Sequence, residues 1–99
     1  AVFLQNKGYQ NAHIHPDGWV SGVFYLQIPE TKKDESCIYF TQKGYDYPIL
    51  NKSKKIQEKT IKPSVGDLIL FPSSQFHGTR PFNSNTERIS IAFDIRPEI

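Results

Sequence analysis

Residues 11–26 read N-A-H-I-H-P-D-G-W-V-S-G-V-F-Y-L, and the pattern in this stretch restricts the folds that the whole chain can adopt. His13, His15 and Asp17 stand at every second position, and side chains two apart on an extended strand point to the same face. The residues Pro-Asp-Gly at 16–18 then predict a turn before an apolar run. Either the first two or the last two of the alternating side chains could therefore bind one metal ion.

The third histidine of the chain, His77, lies far along the sequence in another strand-like segment. With His13 and His15 it would provide three imidazole ligands, and with His15 and Asp17 it would provide two imidazoles and a carboxylate. The carboxylate set suits non-haem Fe(II), whereas three imidazoles would also suit Zn, Cu or Ni. Both sets require a fold that brings two distant strands together.

The pattern along the chain predicts eight short strands and no helix. Aromatic and β-branched residues alternate in short runs, and seven Pro and six Gly interrupt them. The predicted strands are residues 2–5, 9–15, 20–28, 36–41, 56–61, 68–71, 75–80 and 88–95, with the longest irregular segment at 42–55. This arrangement indicates an all-β sandwich or jelly-roll barrel.

Length and composition limit the class of protein. The 99 residues predict one domain over 1–99, and an initial Ala in place of Met suggests a piece cut from a longer chain. No stretch predicts a membrane span or a signal peptide. The single cysteine, Cys37, allows no internal disulfide, which fits a cytoplasmic location. The net charge of +2 is too small to indicate a nucleic-acid partner, and the lysine-rich residues 52–62 indicate a solvated strand edge.

Three motifs in the second half resemble those of a known superfamily. They are G-D-L-I-L-F-P-S at 66–73, H-G-T at 77–79 and R-I-S-I-A-F at 88–93. In this order, after a His-x-His or His-x-Asp pair, they resemble the 2-oxoglutarate- and Fe(II)-dependent oxygenases, and most closely a branch with H-x-H-P near the start. The resemblance spans most of the chain. It implies a double-stranded β-helix, or jelly roll, with eight core strands in two sheets.

The resemblance also implies a role for individual residues. His77 corresponds to the distal metal ligand, and Arg88 to the basic residue that binds the far carboxylate of 2-oxoglutarate, which a guanidinium can hold through two hydrogen bonds. Ser90 and Tyr25 resemble hydroxyl donors to that carboxylate. The implied cofactors are Fe(II), 2-oxoglutarate and dioxygen.

This chain departs from the superfamily pattern at the first pair of ligands. If His13 is the first ligand, His15 stands where the superfamily has Asp; if His15 is first, Asp17 supplies the carboxylate and replaces His13. Residues 16–18 read as a turn. If Asp17 bound the metal, only Gly18 and Trp19 would remain to carry the chain from one sheet to the other. We favour His13, His15 and His77 and keep Asp17 as the alternative to His13.

The implied function is a dioxygenase that oxidises a substrate, in the manner of a hydroxylase, while 2-oxoglutarate is decarboxylated. Trp19, Gln75 and Phe76 flank the ligands and are candidate substrate contacts. Two alternatives are a cupin-type metal-binding protein and a metal-free jelly-roll binding module. The chain lacks the Glu that the cupin pattern has three or four residues after the second His, here His15. The cupin pattern also gives no role to Arg88 and Ser90.

Overall fold

The structure is a computed structural model that describes residues 2–44 and 57–98. These residues form eight strands and no helix: β1 (Val2–Leu4), β2 (Gln10–His13), β3 (Val20–Gln27), β4 (Ile38–Thr41), β5 (Glu58–Ile61), β6 (Leu68–Pro72), β7 (Phe76–Thr79) and β8 (Arg88–Ile95). The prediction of an all-β chain with eight strands is confirmed. The predicted start of the fifth strand at residue 56, and most of the predicted irregular segment, lie outside the described residues.

The strands form two four-stranded antiparallel sheets, which confirms the predicted number of sheets. The order is β1-β8-β3-β6 in the first sheet and β2-β7-β4-β5 in the second. Apart from β4 and β5, neighbours in each sheet are not consecutive in sequence; β3 and β8, the two longest strands, pair from Val20↔Ile95 to Gln27↔Ile89. β8 also pairs with β1, from Val2↔Ser90 to Leu4↔Arg88, so the first and last strands lie side by side. In the part of the chain described here, no helix is long and apolar enough to cross a membrane.

A tight turn carries the chain from β2 in the second sheet to β3 in the first. The amide of Gly18 donates to the carbonyl of His15 at 3.2 Å, with Pro16 second and Gly18 fourth, the positions these residues favour in a turn. The His15 amide donates to Ser73 O at 3.0 Å, which fixes the turn against the residues after β6. β2 therefore ends at His13, two residues earlier than predicted, and His15 lies at the start of the turn.

The space between the sheets holds both apolar and polar side chains. Ile38 and Phe71 are buried there, but so are His77, Arg88 and Ser90. A buried cation and hydroxyl cost free energy unless they are paired, so a core of this composition indicates a binding site.

Gly78, in the middle of β7, is a close-approach position that should not tolerate a side chain. A Cβ there would lie 2.5 Å from the backbone oxygen of Gln10 and 2.5 Å from the Tyr39 hydroxyl. Gly78→Ala should lower the free energy of unfolding by about 1–3 kcal/mol, because the neighbouring strand must move. Urea unfolding measures the change.

Gly66 is the matched control for this substitution. Its φ is +89°, and a Cβ there would meet nothing within 4 Å. Gly66→Ala should cost about 1 kcal/mol through backbone strain alone. Equal losses for the two variants would contradict the steric explanation at Gly78.

Candidate functional site

The three histidines meet between the sheets. His13 on β2 lies opposite His77 on β7 in the strand register, and His15 follows two residues later. Each ring offers one nitrogen, and the three nitrogens lie within 4.8 Å of one another. The Nε2 atoms of His15 and His77 are 3.2 Å apart. This is a spacing at which three imidazoles could share one metal ion.

Hydrogen bonds on the far side of each ring fix which nitrogen faces the centre. His13 Nδ1 lies 2.7 Å from the carbonyl of Asn11, His77 Nδ1 lies 3.0 Å from the carbonyl of Gln75, and His15 Nδ1 lies 2.8 Å from Asp94 Oδ1. Carbonyl and carboxylate oxygens only accept, so each Nδ1 donates and each neutral ring keeps its lone pair on Nε2.

This tautomer has a direct consequence for the centre of the cluster. The lone pairs of His15 Nε2 and His77 Nε2 face each other at 3.2 Å, and two acceptors repel at that distance unless a cation stands between them. Burial is the largest cause that lowers the pKa of His77 to about 4; the neighbouring His13 and His15 lower it further, and the hydrogen bond to the carbonyl of Gln75 opposes the shift. His77 is therefore neutral near pH 7, in the form that binds a metal. The donor set fits a divalent metal ion.

Two aromatic rings pack on one side of His77. The Phe71 ring centroid is 4.4 Å from that of His77, and Phe40 packs edge-on against Phe71 at 5.2 Å. These rings make the local environment apolar, which strengthens electrostatic interactions at the cluster.

Asp94 orients His15 and accepts a hydrogen bond from Ser21, which is itself bonded to Ser73. The Ser21 hydroxyl donates to Asp94 Oδ1 at 2.6 Å, and Ser21 Oγ lies 2.8 Å from Ser73 Oγ. Because Ser21 has a single proton and gives it to Asp94, Ser73 must be the donor to Ser21. The hydrogen bond from Ser21, followed by that from His15, lowers the pKa of Asp94, so its carboxylate stays ionised.

Sequence reasoning missed Asp94, Ser21 and Ser73. The alternation along β8 could have indicated Asp94. It stands six residues after Arg88, so both side chains lie on the same face of the strand. Its partner, however, lies 79 positions earlier in the numbering, and that proximity follows from the β3–β8 pairing and the turn.

Asp94→Asn should weaken metal binding by roughly 10- to 100-fold, the usual effect of removing a carboxylate that orients a histidine ligand. The side-chain amide of the new Asn carries no negative charge, and it can turn its NH₂ group rather than its oxygen toward His15 Nδ1. Titration with Co(II), followed by its visible spectrum, measures the affinity. Asp34→Asn, in an exposed turn, is the control and should bind as the wild type does; equal effects of the two substitutions would contradict the role of Asp94.

The same cavity that the histidines line extends to a buried arginine. Its volume is about 160 Å³, and its walls include His13, His15, His77, Tyr25, Arg88 and Ser90. Arg88 is 1% exposed and Tyr25 is fully buried. The Arg88 guanidinium carbon lies 4.9 Å from the centroid of the Tyr25 ring.

Arg88 and Tyr25 carry polar atoms without partners. Within residues 2–44 and 57–98, Arg88 Nε and the Tyr25 hydroxyl make no hydrogen bond, and no carboxylate forms an ion pair with Arg88. Burial lowers the pKa of Arg88 and raises that of Tyr25, and in each case the interaction between the two opposes the shift. A buried guanidinium left uncompensated is costly, so this end of the cavity fits an anionic group such as a carboxylate.

The other predicted residues lie outside this cavity. Asp17 is exposed in the turn and lines a separate depression of about 630 Å³, as does Trp19, which is 68% exposed. Gln75 lines a third cavity, of about 780 Å³ between β4, β5 and β6, and its side-chain amide donates to the carbonyl of Thr41. Its own carbonyl holds His77, so it contacts the cluster through the backbone. Phe76 precedes His77 on β7 and is half-buried.

Together these features define a class of protein: two antiparallel sheets with a cavity between them, which has three convergent imidazoles at one side and, at the other, an arginine that pairs with no carboxylate of residues 2–44 and 57–98. A model of the family described as "Putative 2OG-Fe(II) oxygenase" matches residues 1–94. The chain therefore belongs to this 2-oxoglutarate–Fe(II) oxygenase family, which confirms the resemblance seen in the motifs. No curated protein sequence matches the chain.

Proposed function

We propose that this chain is a 2-oxoglutarate- and Fe(II)-dependent dioxygenase that oxidises an organic substrate. The observation that carries the proposal is one cavity with three convergent imidazole nitrogens on one wall and, on another, an arginine without a carboxylate partner in the described part of the chain. The family membership and the strand order support a double-stranded β-helix as the scaffold.

His13, His15 and His77 would hold the iron. The convergence of their nitrogens supports this set, as do the three hydrogen bonds that leave every Nε2 free. Asp17, the alternative ligand, is the third residue of the tight turn and lines a different depression, which argues against a role on the metal. Three neutral imidazoles leave the full charge of the ion uncompensated, so an anionic cosubstrate would bind it more strongly.

Arg88, Ser90 and Tyr25 would bind the far carboxylate of 2-oxoglutarate. Arg88 could donate two parallel hydrogen bonds, and the hydroxyls of Tyr25 and Ser90 could donate one each. The size of the cavity agrees with a small ligand: about 160 Å³ corresponds to roughly five waters at ~30 Å³ each, well below the ~300 Å³ of a site for drug-sized molecules. Binding there would also give Arg88 an anionic partner, which the described residues do not provide.

When bound, Fe(II) with 2-oxoglutarate and dioxygen supplies the oxidation: one oxygen atom enters the substrate, and the other enters succinate as carbon dioxide leaves. The chain's own residues orient these groups. Asp94 keeps the proton on His15 Nδ1, Arg88 fixes the cosubstrate, and Phe71 keeps water from the back of His77.

Anaerobic addition of Fe(II) and then 2-oxoglutarate tests the proposal. We expect a weak visible charge-transfer band that appears only when both are present and is lost when 2-oxoglutarate is replaced by succinate. A protein that binds metal but never 2-oxoglutarate would be of the cupin type. A protein that binds neither would be a metal-free binding module, and either result would overturn the proposal.

A further inference from the structure

Gln10 lines the histidine cavity because β2 contains a β-bulge. Where β2 pairs with β7, Gln10 lies opposite Thr79 and His13 lies opposite His77, so three steps along β2 correspond to two along β7. Side chains three apart on a regular strand point to opposite faces, and one extra residue returns them to the same face. Gln10 and His13 therefore both line the cavity between the sheets.

The side chain of Thr79 holds one end of the Gln10 amide. Thr79 is buried, and its hydroxyl donates to Gln10 Oε1 at 3.4 Å. The backbone of Gln10 is fixed as well, since its carbonyl accepts a hydrogen bond from the Tyr39 hydroxyl at 3.5 Å and lies close against Gly78. With its oxygen turned to Thr79, the amide keeps both protons of Nε2 available, and Nε2 makes no hydrogen bond with residues 2–44 and 57–98.

The polar groups at this end of the cavity are divided between its two walls. Arg88, Ser90 and Tyr25 belong to the first sheet, and Gln10 and Thr79 belong to the second. A carboxylate accepts about four hydrogen bonds, so donors from both walls can bind one such group. The Gln10 amide is therefore a donor on the second sheet for an anion that Arg88 binds from the first.

The position of Gln10 along the sheet agrees with the length of a five-carbon diacid. Its partner Thr79 lies two residues after His77 on β7, a step of about 7 Å along a strand. Four C–C bonds of ~1.5 Å put the terminal carbons of an extended five-carbon chain about 5 Å apart, and each carboxylate oxygen extends it by about 1 Å. An acid whose oxo end binds at the histidines would bring its far carboxylate to the level of Gln10.

We propose that Gln10 is a specificity-determining residue for the cosubstrate: its Nε2 group donates to the far carboxylate, and Thr79 positions the amide for this contact. The inference rests on the proposed function, because it assigns two more residues to the same 2-oxoglutarate site. The pair selects a 2-oxo acid with a second carboxylate over one that lacks it, since only the former provides an acceptor for Gln10 Nε2.

Anaerobic calorimetric titration of the Fe(II) protein with 2-oxoglutarate and with 2-oxobutanoate tests the inference. 2-Oxobutanoate keeps the oxo acid end and lacks the far carboxylate. Gln10→Met removes the amide at similar volume and should raise the Kd for 2-oxoglutarate by roughly 10- to 100-fold, the effect of losing a hydrogen bond to a charged group. The Kd for 2-oxobutanoate should change less than about threefold. Gln5→Met, at an exposed position, is the control and should change neither Kd.

Two substitutions at Thr79 test its positioning role. Thr79→Val removes the hydroxyl and should raise the Kd for 2-oxoglutarate by roughly 3- to 10-fold, whereas Thr79→Ser keeps the hydroxyl and should bind as the wild type does. Circular dichroism and Co(II) titration should give the wild-type result for every variant, because the three histidines are unchanged. If Gln10→Met fails to fold, Gln10→Leu replaces it with the same expectation.

The outcomes separate this inference from the proposed function. A wild-type protein that binds Fe(II) but no 2-oxoglutarate would overturn both. If the wild type binds 2-oxoglutarate and Gln10→Met binds it equally well, or weakens both ligands by the same factor, the inference alone fails, because Gln10 then makes no contact specific to the far carboxylate. Weak binding by Thr79→Ser as well as Thr79→Val would overturn the positioning role of the hydroxyl.

Discussion

Arg88→Met should abolish 2-oxoglutarate binding at ordinary concentrations while metal binding persists. Removing one member of a buried, hydrogen-bonded charge pair costs about 2–5 kcal/mol, which corresponds to a rise in the Kd for 2-oxoglutarate of roughly 30- to 4,000-fold. Methionine fills a similar volume, and Arg88 has no carboxylate partner among the described residues, so the protein without ligands should be as stable as the wild type or more stable.

The measurement is a titration of 2-oxoglutarate into the anaerobic Fe(II) protein, with thermal unfolding recorded in parallel. The wild type should gain thermal stability from 2-oxoglutarate and the variant should not, because a ligand stabilises only the state that binds it. Arg80→Met is the control, since Arg80 is a half-exposed arginine on the outer face of the second sheet. Equal loss of iron and 2-oxoglutarate binding in Arg88→Met would contradict the role assigned to Arg88.

His77→Gln should weaken metal binding by more than roughly 100-fold. Changing a residue that merely orients a ligand costs 10- to 100-fold, and removing the ligand itself should cost more. Glutamine preserves most of the volume at this buried position, so a large loss of stability is not expected. His13→Gln and His15→Gln should have effects of the same size, because all three rings direct a nitrogen to the same point. Competition with a coloured chelator measures each affinity.

Asp17→Asn decides between the two ligand sets. The side chain of Asp17 is exposed in the turn, so we expect its replacement to change the metal affinity less than about threefold. Strong loss in Asp17→Asn together with near-normal binding in His13→Gln would instead support the set of His15, Asp17 and His77.

The strands and the candidate ligands were predictable because their signals are local. Period-two alternation marks residues 20–27 and 88–95 as strands whatever surrounds them, and the Pro-Asp-Gly turn follows from the φ angle of proline and the freedom of glycine. His13, His15, His77 and Arg88 could be named in advance because their residue types and order carry chemical information. For substrate contacts, Trp19, Gln75 and Phe76 stay predictions; they lie outside the histidine cavity, and residue type alone does not say where a substrate binds.

Local sequence patterns were enough to predict the eight strands, the turn and the candidate ligands for a metal and an anion. Three features required the folded structure: Asp94 and Ser21 stand behind His15, Arg88 pairs with no acidic side chain of residues 2–44 and 57–98, and one sheet has an apolar outer face. These features depend on which strands become neighbours. In the first sheet β3 pairs with β8 across more than sixty intervening positions, and a local pattern specifies how a strand faces but not which strand lies beside it.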